Sequence, residues 1–186
     1  MTLKTLRQKS GWSLDKASEH TGVSKAMLGQ IERGESSPTI ATLWKIASGF
    51  KTSFSAFIDE PHSAQTTLVH RSASPEHVHP QDDKIRVSPL FPFEQDLSFE
   101  VFLIELLPGC EHLSPPHEGN VVEHVIVIEG EIEVLADGVW HSLKKNEGLR
   151  FNANQPHGYR NTTEHIAVFH DAIHYRYSPS NRKSRH

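Results

Sequence analysis

The sequence predicts an α+β chain of two domains, an N-terminal all-α bundle of five helices and a C-terminal all-β barrel. Three observations support this fold class. Apolar residues recur at helical spacing from Leu3 to Ile58. Residues 61–66 then form a polar linker. Beyond the linker, apolar residues occur in short runs separated by turn residues, as in β-strands. The predicted domains are therefore residues 1–60 and 67–178, followed by a disordered polar tail at 179–186.

Most helices of the first domain are delimited by capping residues. The first helix is predicted over residues 2–10. Ser13, Ser24 and Thr39 each precede an apolar helical pattern, and each can accept a hydrogen bond from an N–H of the first turn. The second, third and fourth helices are therefore predicted to begin directly after these three residues.

A tight turn and a short last helix complete the bundle. Gly22 can take the left-handed backbone conformation between the second and third helices, and the small Ser18 would let these two helices approach each other. A fifth helix is predicted near residues 53–58, where Phe54 and Phe57 would close the bundle.

The second domain contains nine predicted strands. Glu129-Gly130 and Asp137-Gly138 are typical hairpin turns between them. The predicted strands lie at 66–70, 84–89, 97–107, 123–128, 131–135, 139–143, 148–151, 157–160 and 165–175.

Composition limits the class of protein. The chain has 186 residues, 36% hydrophobic and 23% charged, which suits two ordinary globular domains. No apolar run approaches the ~20 residues that a bilayer span needs. The single cysteine, Cys110, excludes an intramolecular disulfide and a CxxC metal site. We therefore expect a cytoplasmic protein without a membrane partner, in which histidines and carboxylates hold any metal.

The net charge of −4 is unevenly distributed. Residues 1–60 contain eight Lys or Arg and six Asp or Glu, whereas residues 61–186 contain eleven and seventeen. The first domain is therefore net positive by two charges and the second net negative by six. This places the positive charge on the domain that would contact phosphate.

Residues 13–35 predict two helices around a tight turn, so that the second of them projects from the bundle. On this geometry Ser24, Lys25, Met27 and Gln30 point away from the core. A projecting helix with such residues can enter a DNA major groove.

The first domain resembles the XRE (lambda-repressor-like) helix-turn-helix family over residues 3–58. The resemblance rests on Gly22-Val23-Ser24, on Gln30-Ile31-Glu32-Arg33-Gly34 and on Ser37-Pro38-Thr39, which match the recognition-helix region and the following turn. A double-stranded DNA partner is therefore implied. The alternative is an all-α protein-interaction module.

The same resemblance implies two groups of DNA contacts. Ser24, Lys25 and Gln30 would contact base edges, since lysine can donate to guanine and glutamine can pair with adenine. Ser13 and Arg33 would hold phosphates instead. Gln30 or Lys25 could alternatively be a solvated surface residue.

Residues 108–131 contain the most informative pattern of the second domain. Gly109, His117, Glu123 and Gly130 follow one another at spacings that resemble the first cupin motif. This resemblance implies a double-stranded β-helix, or jelly-roll barrel.

Residues 146–161 resemble the second cupin motif, with His157 and Asn161 at the positions of its histidine and asparagine. The resemblance implies that His117, Glu123 and His157 converge in the barrel as ligands of one divalent metal. Zinc is the first expectation and iron the second. The alternative is a polar pocket without a metal.

This sequence departs from the first motif at Pro115, which stands where the family has a histidine ligand. His112 or His124 could replace it. Adjacent residues of a strand face opposite sides, however, so Glu123 and His124 are not expected to point inward together.

A small effector is expected in the barrel, lined by Phe102, Arg150 and Tyr159, the arginine being suited to a carboxylate. The patterns His117-Glu118 and Glu123 to Ile128 look most like the sulfur-utilisation-regulator branch of helix-turn-helix/cupin proteins. That resemblance implies a sulfur-containing amino acid or a related metabolite as the effector.

Together these resemblances imply a bacterial sequence-specific transcriptional regulator. We expect a homodimer, formed mainly through the barrel, that binds a pseudo-palindromic operator with half-sites about one helical turn apart. The alternative is a metal-dependent cupin enzyme, an oxygenase or isomerase, with an accessory helical domain. The incomplete ligand set and the attached DNA reader favour the regulator.

Overall fold

The computed structural model describes residues 3–58, 70–73, 84–94, 96–117 and 119–176. The predicted linker and tail lie outside these residues, as does the predicted strand at 66–70 apart from His70. None of the helices in the described ranges combines the length and the apolar character needed to cross a lipid bilayer.

The five predicted helices are confirmed. Ser13, Ser24 and Thr39 are N-caps whose side chains accept a hydrogen bond from the backbone N–H three residues later. Gly22 has a φ of 65°, in the left-handed region, as the turn requires. The helices are α1 (Leu3–Lys9), α2 (Leu14–Thr21), α3 (Lys25–Glu32), α4 (Ile40–Phe50) and α5 (Ser55–Ile58).

The helical core also depends on a close approach that sequence analysis did not identify. Gly49 of α4 lies against α2, where a Cβ atom would come within 2.6 Å of the backbone oxygen of His20. The buried side chains of this core come from α1, α2, α3, α4 and the turn at Val23: they are Leu3, Ala17, Val23, Leu28 and Ile46.

The second domain is built of nine described strands in two antiparallel sheets. The five-stranded sheet has the order β1-β2-β9-β4-β7 and the four-stranded sheet the order β3-β8-β5-β6. The strands are β1 (Ile85–Glu94), β2 (Phe99–Leu106), β3 (Glu111–Ser114), β4 (Asn120–Glu129), β5 (Glu131–Ala136), β6 (Val139–Lys144), β7 (Gly148–Asn152), β8 (His157–Arg160) and β9 (Ala167–Arg176).

Eight of these strands agree with the prediction, and β3 was not predicted as a strand. The hairpin turn at Asp137-Gly138 is confirmed: it joins the paired strands β5 and β6, with φ values of 50° and 77°. The hairpin predicted at Glu129-Gly130 is corrected, because β4 and β5 belong to different sheets, and this turn, where Gly130 has a φ of 76°, connects the two sheets. Side chains alternate along β2 and β9, so Phe102 and Phe169 face the interior between the two sheets. The barrel interior is therefore the core of the second domain.

The two domains are packed together, which corrects one prediction. Phe57 packs on the helical core, but Phe54 belongs to the buried core of the barrel. Glu100 of β2 explains this position, because its carboxylate accepts hydrogen bonds from the backbone N–H groups of Phe54 and Ser55, at 3.3 and 3.1 Å. The beginning of α5 is thereby fixed on the barrel.

Candidate functional site

Three sequence-predicted residues meet inside the barrel. His117 follows β3, Glu123 lies on β4 and His157 begins β8, and all three side chains are buried. Glu123 Oε1 lies 3.0 Å from His117 Nε2 and 3.4 Å from His157 Nε2. One potential donor atom from each residue lies within 4.8 Å of the others. The group could hold one metal ion.

The chemistry of these donors fits such an ion. His157 Nδ1 lies 2.9 Å from the carbonyl oxygen of Gln155. A proton on Nδ1 donates to that carbonyl and leaves the lone pair of Nε2 facing Glu123, which is the usual arrangement of a metal-binding histidine. Two imidazoles and one carboxylate suit zinc or iron(II).

The protonation states of the group follow from burial and from its neighbours. Burial opposes the charge of Glu123, but the hydrogen bond from His117 and the nearby His157 and Tyr159 outweigh it and hold the pKa of Glu123 below its usual value. Burial lowers the pKa of His157, which favours the neutral imidazole. A carboxylate and a neutral imidazole are the forms that bind a metal.

A second carboxyl group lies beside this group. The Tyr159 hydroxyl is 2.5 Å from Glu123 Oε2 and 3.3 Å from Asp171 Oδ2. Burial and the charge of Glu123 raise the pKa of Asp171 well above its usual value. Asp171 Oδ1 and His117 Nδ1 are buried without a hydrogen-bond partner among the described residues. Buried polar atoms of this kind often mark a place for a water or ligand.

These residues surround a cavity of about 10 Å³. Ile40 and Trp44 of α4 form one wall of it, and the Trp44 ring stacks on His117 with a centroid distance of 4.4 Å. Neither residue was predicted to line the site, because helical periodicity does not reveal which of two cores a side chain joins. Among the described residues, the lining includes no lysine or arginine: it consists of Ile40, Trp44, Ile85, Val87, Phe102, Ile104, His112, Ser114, His117, Glu123, His157, Tyr159 and Asp171.

The predicted effector residues divide into two groups. Phe102 and Tyr159 line the cavity, but Arg150 does not. It is exposed on β7 opposite His124 and borders a separate polar groove with Arg176. The expectation for Arg150 is corrected because Phe151, its neighbour on the strand, points inward.

Three further residues considered for the cupin motifs, Asn161, His112 and His124, lie outside the group of His117, Glu123 and His157. Asn161 donates to the carbonyl oxygens of Leu106 and His165 at 2.9 and 2.7 Å, and so stabilises a turn. His112 lines the cavity with Nε2 3.2 Å from Ser114 Oγ, but it is not part of the three-residue group. His124 lies outside the cavity lining, as expected.

The face of α3 that was predicted to read bases is exposed. Ser24, Lys25, Met27 and Gln30 all lie at the surface, while Leu28 on the other side of the helix is fully buried. The Lys25 Nζ atom is 2.8 Å from Asp15 Oδ2 in an exposed ion pair. Such pairs contribute at most about 1 kcal/mol, so Lys25 can exchange this partner for DNA.

The residues predicted to hold phosphate lie at helix ends. Ser13 caps α2 and is exposed. Arg33 follows α3, is exposed, and makes two hydrogen bonds of 2.8 Å to the carboxylate of Glu35. At the same end of α3, Arg7 and Glu32 form a bidentate pair that fixes α1 on α3.

Two family descriptions match the chain, one for each domain. A helix-turn-helix family matches residues 3–57. A cupin-domain family matches residues 102–173.

Relatives of nearly full length are also similar to the chain. The HTH-type transcriptional regulator SutR of Escherichia coli strain K12 is 49% identical over 174 residues, which are 94% of this chain and 93% of SutR. The crystal structure of an HTH_3 family transcriptional regulator from Vibrio cholerae is 47% identical, with a TM-score of 0.80 over 94% of this chain and 93% of that one. The cupin domain of an XRE family transcriptional regulator from Enterobacter cloacae is 44% identical, with a TM-score of 0.50 over 51% of this chain and all of that one.

Proposed function

The chain belongs to the helix-turn-helix transcriptional regulators that carry a cupin domain, and we propose that its buried His117, Glu123 and His157 form a metal site through which this regulator senses a small ligand. The observation that carries the proposal is the convergence of these three buried donors beside a wall contributed by the DNA-binding domain.

We propose that α3 reads DNA. Its exposed face offers Ser24, Lys25 and Gln30 for base edges, and Met27 for apolar contact with a thymine methyl group. Ser13 and Arg33 flank this face and contact phosphates.

One such helix covers a half-site, so we propose that a homodimer binds a pseudo-palindromic operator with half-sites about 10 bp apart. The exposed Ile126 and Ile128 of β4 support an interface through the barrel.

The proposed ligands are His117 Nε2, His157 Nε2 and the Glu123 carboxylate, with zinc as the first candidate and iron(II) as the second. Tyr159 donates to Glu123 and orients the carboxylate. When bound, a metal would act as a Lewis acid, and the part of the chain that the structure describes offers it three donors, since Pro115 stands where the family has a further histidine.

The proposed effector is a sulfur-containing amino acid or a related metabolite. A thiolate is a good zinc ligand and would add a fourth donor to these three. Within the described ranges, the cavity lining offers Glu123 and Asp171 but no lysine or arginine, so an anionic group of the effector depends on the metal for its positive partner. The resemblance to the sulfur-utilisation regulators supports this class of effector.

Sensing is preferred to catalysis because Ile40 and Trp44 of the DNA-binding domain close the site. Such a wall connects the contents of the barrel to the helices that contact DNA, as a sensor requires.

The metal proposal is tested by elemental analysis of the purified full-length protein. Wild type should hold about one zinc or iron ion per chain, and His117→Ala and His157→Ala should each abolish stoichiometric metal. His124→Ala is a matched control on the outer side of β4 and should retain it. Stoichiometric metal in both ligand variants contradicts the proposal.

A further inference from the structure

Trp44 lies at the junction of the two domains. Its indole ring stacks on His117 at a centroid distance of 4.4 Å with an interplanar angle of 27°. It also stacks on Phe54 at 4.3 Å and 14°, and Phe54 meets Phe102 of the barrel edge to face at 5.6 Å. A chain of ring contacts therefore runs from a proposed metal ligand, through α4, to the residue just before α5.

Backbone hydrogen bonds fix the same part of the helical domain on the barrel. The N–H groups of Phe54 and Ser55 donate to the Glu100 carboxylate on β2. The Ser55 hydroxyl in turn accepts a hydrogen bond of 2.9 Å from the N–H of Phe93 on β1. α4 and α5 are thus held where Trp44 covers His117.

We propose that the metal site is shared between the domains, with Trp44 contacting the ligand imidazole of His117 from the DNA-binding side, so that filling the site fixes α4 on the barrel. This inference rests on the proposed metal site. A metal ion draws electron density from a bound imidazole, and the electron-rich face of an indole attracts a ring that carries positive charge. Metal binding also holds the imidazole in one orientation.

The small size of the cavity gives the wall formed by Ile40 and Trp44 a second role. Its volume of about 10 Å³ is near that needed for a single water molecule. A metal ion fits such a volume without movement of α4, whereas a metabolite needs more room. Displacement of Trp44 and Ile40 would provide that room, and it would link occupancy of the barrel to the position of the DNA-binding helices.

The inference is tested by hydrogen exchange of the full-length protein, with zinc as the probe. In wild type, zinc should slow exchange of the backbone amides of α4 by at least about fivefold, the lower end of typical couplings between sites. In Trp44→Ala, zinc should still slow exchange in β4 and β8, which carry ligands, but not in α4. Trp44→Phe keeps a stacking ring and should retain most of the effect.

Trp140→Ala is the matched control. Trp140 is on β6, where its ring packs under the Arg160 guanidinium at 4.1 Å and does not line the cavity. This variant should respond to zinc as wild type does.

A second measurement does not depend on the folding of Trp44→Ala. In the double variant Trp12→Phe/Trp140→Phe, Trp44 is the remaining tryptophan, and bound cobalt(II) should quench most of its fluorescence. In Trp12→Phe/Trp44→Phe, the fluorescence of Trp140 should change little.

The outcomes separate the two proposals. Equal quenching of Trp44 and Trp140, or zinc binding without slower exchange in α4, overturns the shared site and leaves the metal site standing. Full retention of the α4 effect in Trp44→Ala also overturns it. A wild-type protein that binds neither zinc nor iron(II) contradicts the metal site itself, and the inference falls with it.

Discussion

Two carboxyl groups buried in the barrel have pKa values shifted in opposite directions, because their neighbours differ. Glu123 faces two histidines and is held ionised, whereas burial raises the pKa of Glu100 even though Phe54, Ser55 and Tyr175 donate hydrogen bonds to it. Since both side chains are fully buried, exposure does not explain the difference. The hydrogen bond from His117 and the neighbouring His157 favour the ionised form of Glu123, whereas Glu100 has backbone N–H groups and a hydroxyl as its partners.

The raised pKa of Glu100 predicts a pH dependence of stability. The folded protein holds this proton more tightly than the unfolded chain, in which a glutamate has a pKa of about 4.3. The protonated Glu100 therefore contributes to the stability of the fold, and this contribution is fully present below that pH. It is lost as pH rises through the folded-state pKa. Glu100→Gln cannot ionise, so wild type should become less stable relative to this variant as pH rises, by at most about 1.4 kcal/mol per pH unit.

Urea denaturation of both proteins between pH 5 and pH 8 measures this difference. Glu105→Gln removes a half-buried carboxylate from the same strand, where it pairs with Arg86, and serves as the control. If wild type instead gains stability over Glu100→Gln as pH rises, the hydrogen bonds from α5 outweigh the burial of the charge.

The helices were predicted well because their signals are local. N-caps and the glycine turn depend on residues within one helical turn, so Ser24 and Gly22 suffice to mark the start of α3. The destination of a side chain is not local. Phe54 and Trp44 fit the helical pattern but pack on the barrel, since periodicity reports the buried side of a helix and not the partner that buries it.

The alternation of side chains along a strand predicts which residues of the barrel face the site and which face outward. It placed His124 outside, and it would also have placed Arg150 outside had Phe151 been taken as the inward residue. The convergence of His117, Glu123 and His157 could be predicted from the resemblance to a family motif. The position of these residues next to α4 could not be predicted, because no sequence signal describes how the two domains pack together.

The exposed face of α3 predicts two kinds of variant. Gln30→Ala should lose about 1–3 kcal/mol of discrimination at one base position, since a glutamine that bonds a base edge carries sequence information. Arg33→Ala should weaken binding to all sequences alike and reduce the salt dependence by about one phosphate contact. Selection of bound fragments from a randomised pool, at two salt concentrations, measures both effects.

Lys25→Ala tests the same face, with Asp15→Ala as its control because that change frees Lys25 without removing it. Unchanged sequence preference in both Lys25→Ala and Gln30→Ala would show that other residues read the bases.

The wall that α4 contributes to the cavity couples two binding equilibria, that of zinc and that of DNA. Ile40 and Trp44 belong to the domain that contacts DNA, yet they line the cavity beside the proposed metal ligands. If DNA favours one arrangement of α4 on the barrel, zinc and DNA must each change the affinity of the protein for the other by the same factor.

That factor should be about 5 to 150 in wild type and close to one in Trp44→Ala, because the variant loses the contact between α4 and His117. Fluorescence anisotropy of a labelled fragment from the region upstream of its own gene gives the DNA affinity with and without zinc. Competition with a chromophoric chelator gives the zinc affinity with and without that fragment.

Factors of one in both directions in wild type would mean that binding of zinc in the barrel does not affect binding of DNA by the helices. Equal factors that Trp44→Ala leaves unchanged would assign the coupling to the Glu100 contact with α5 instead.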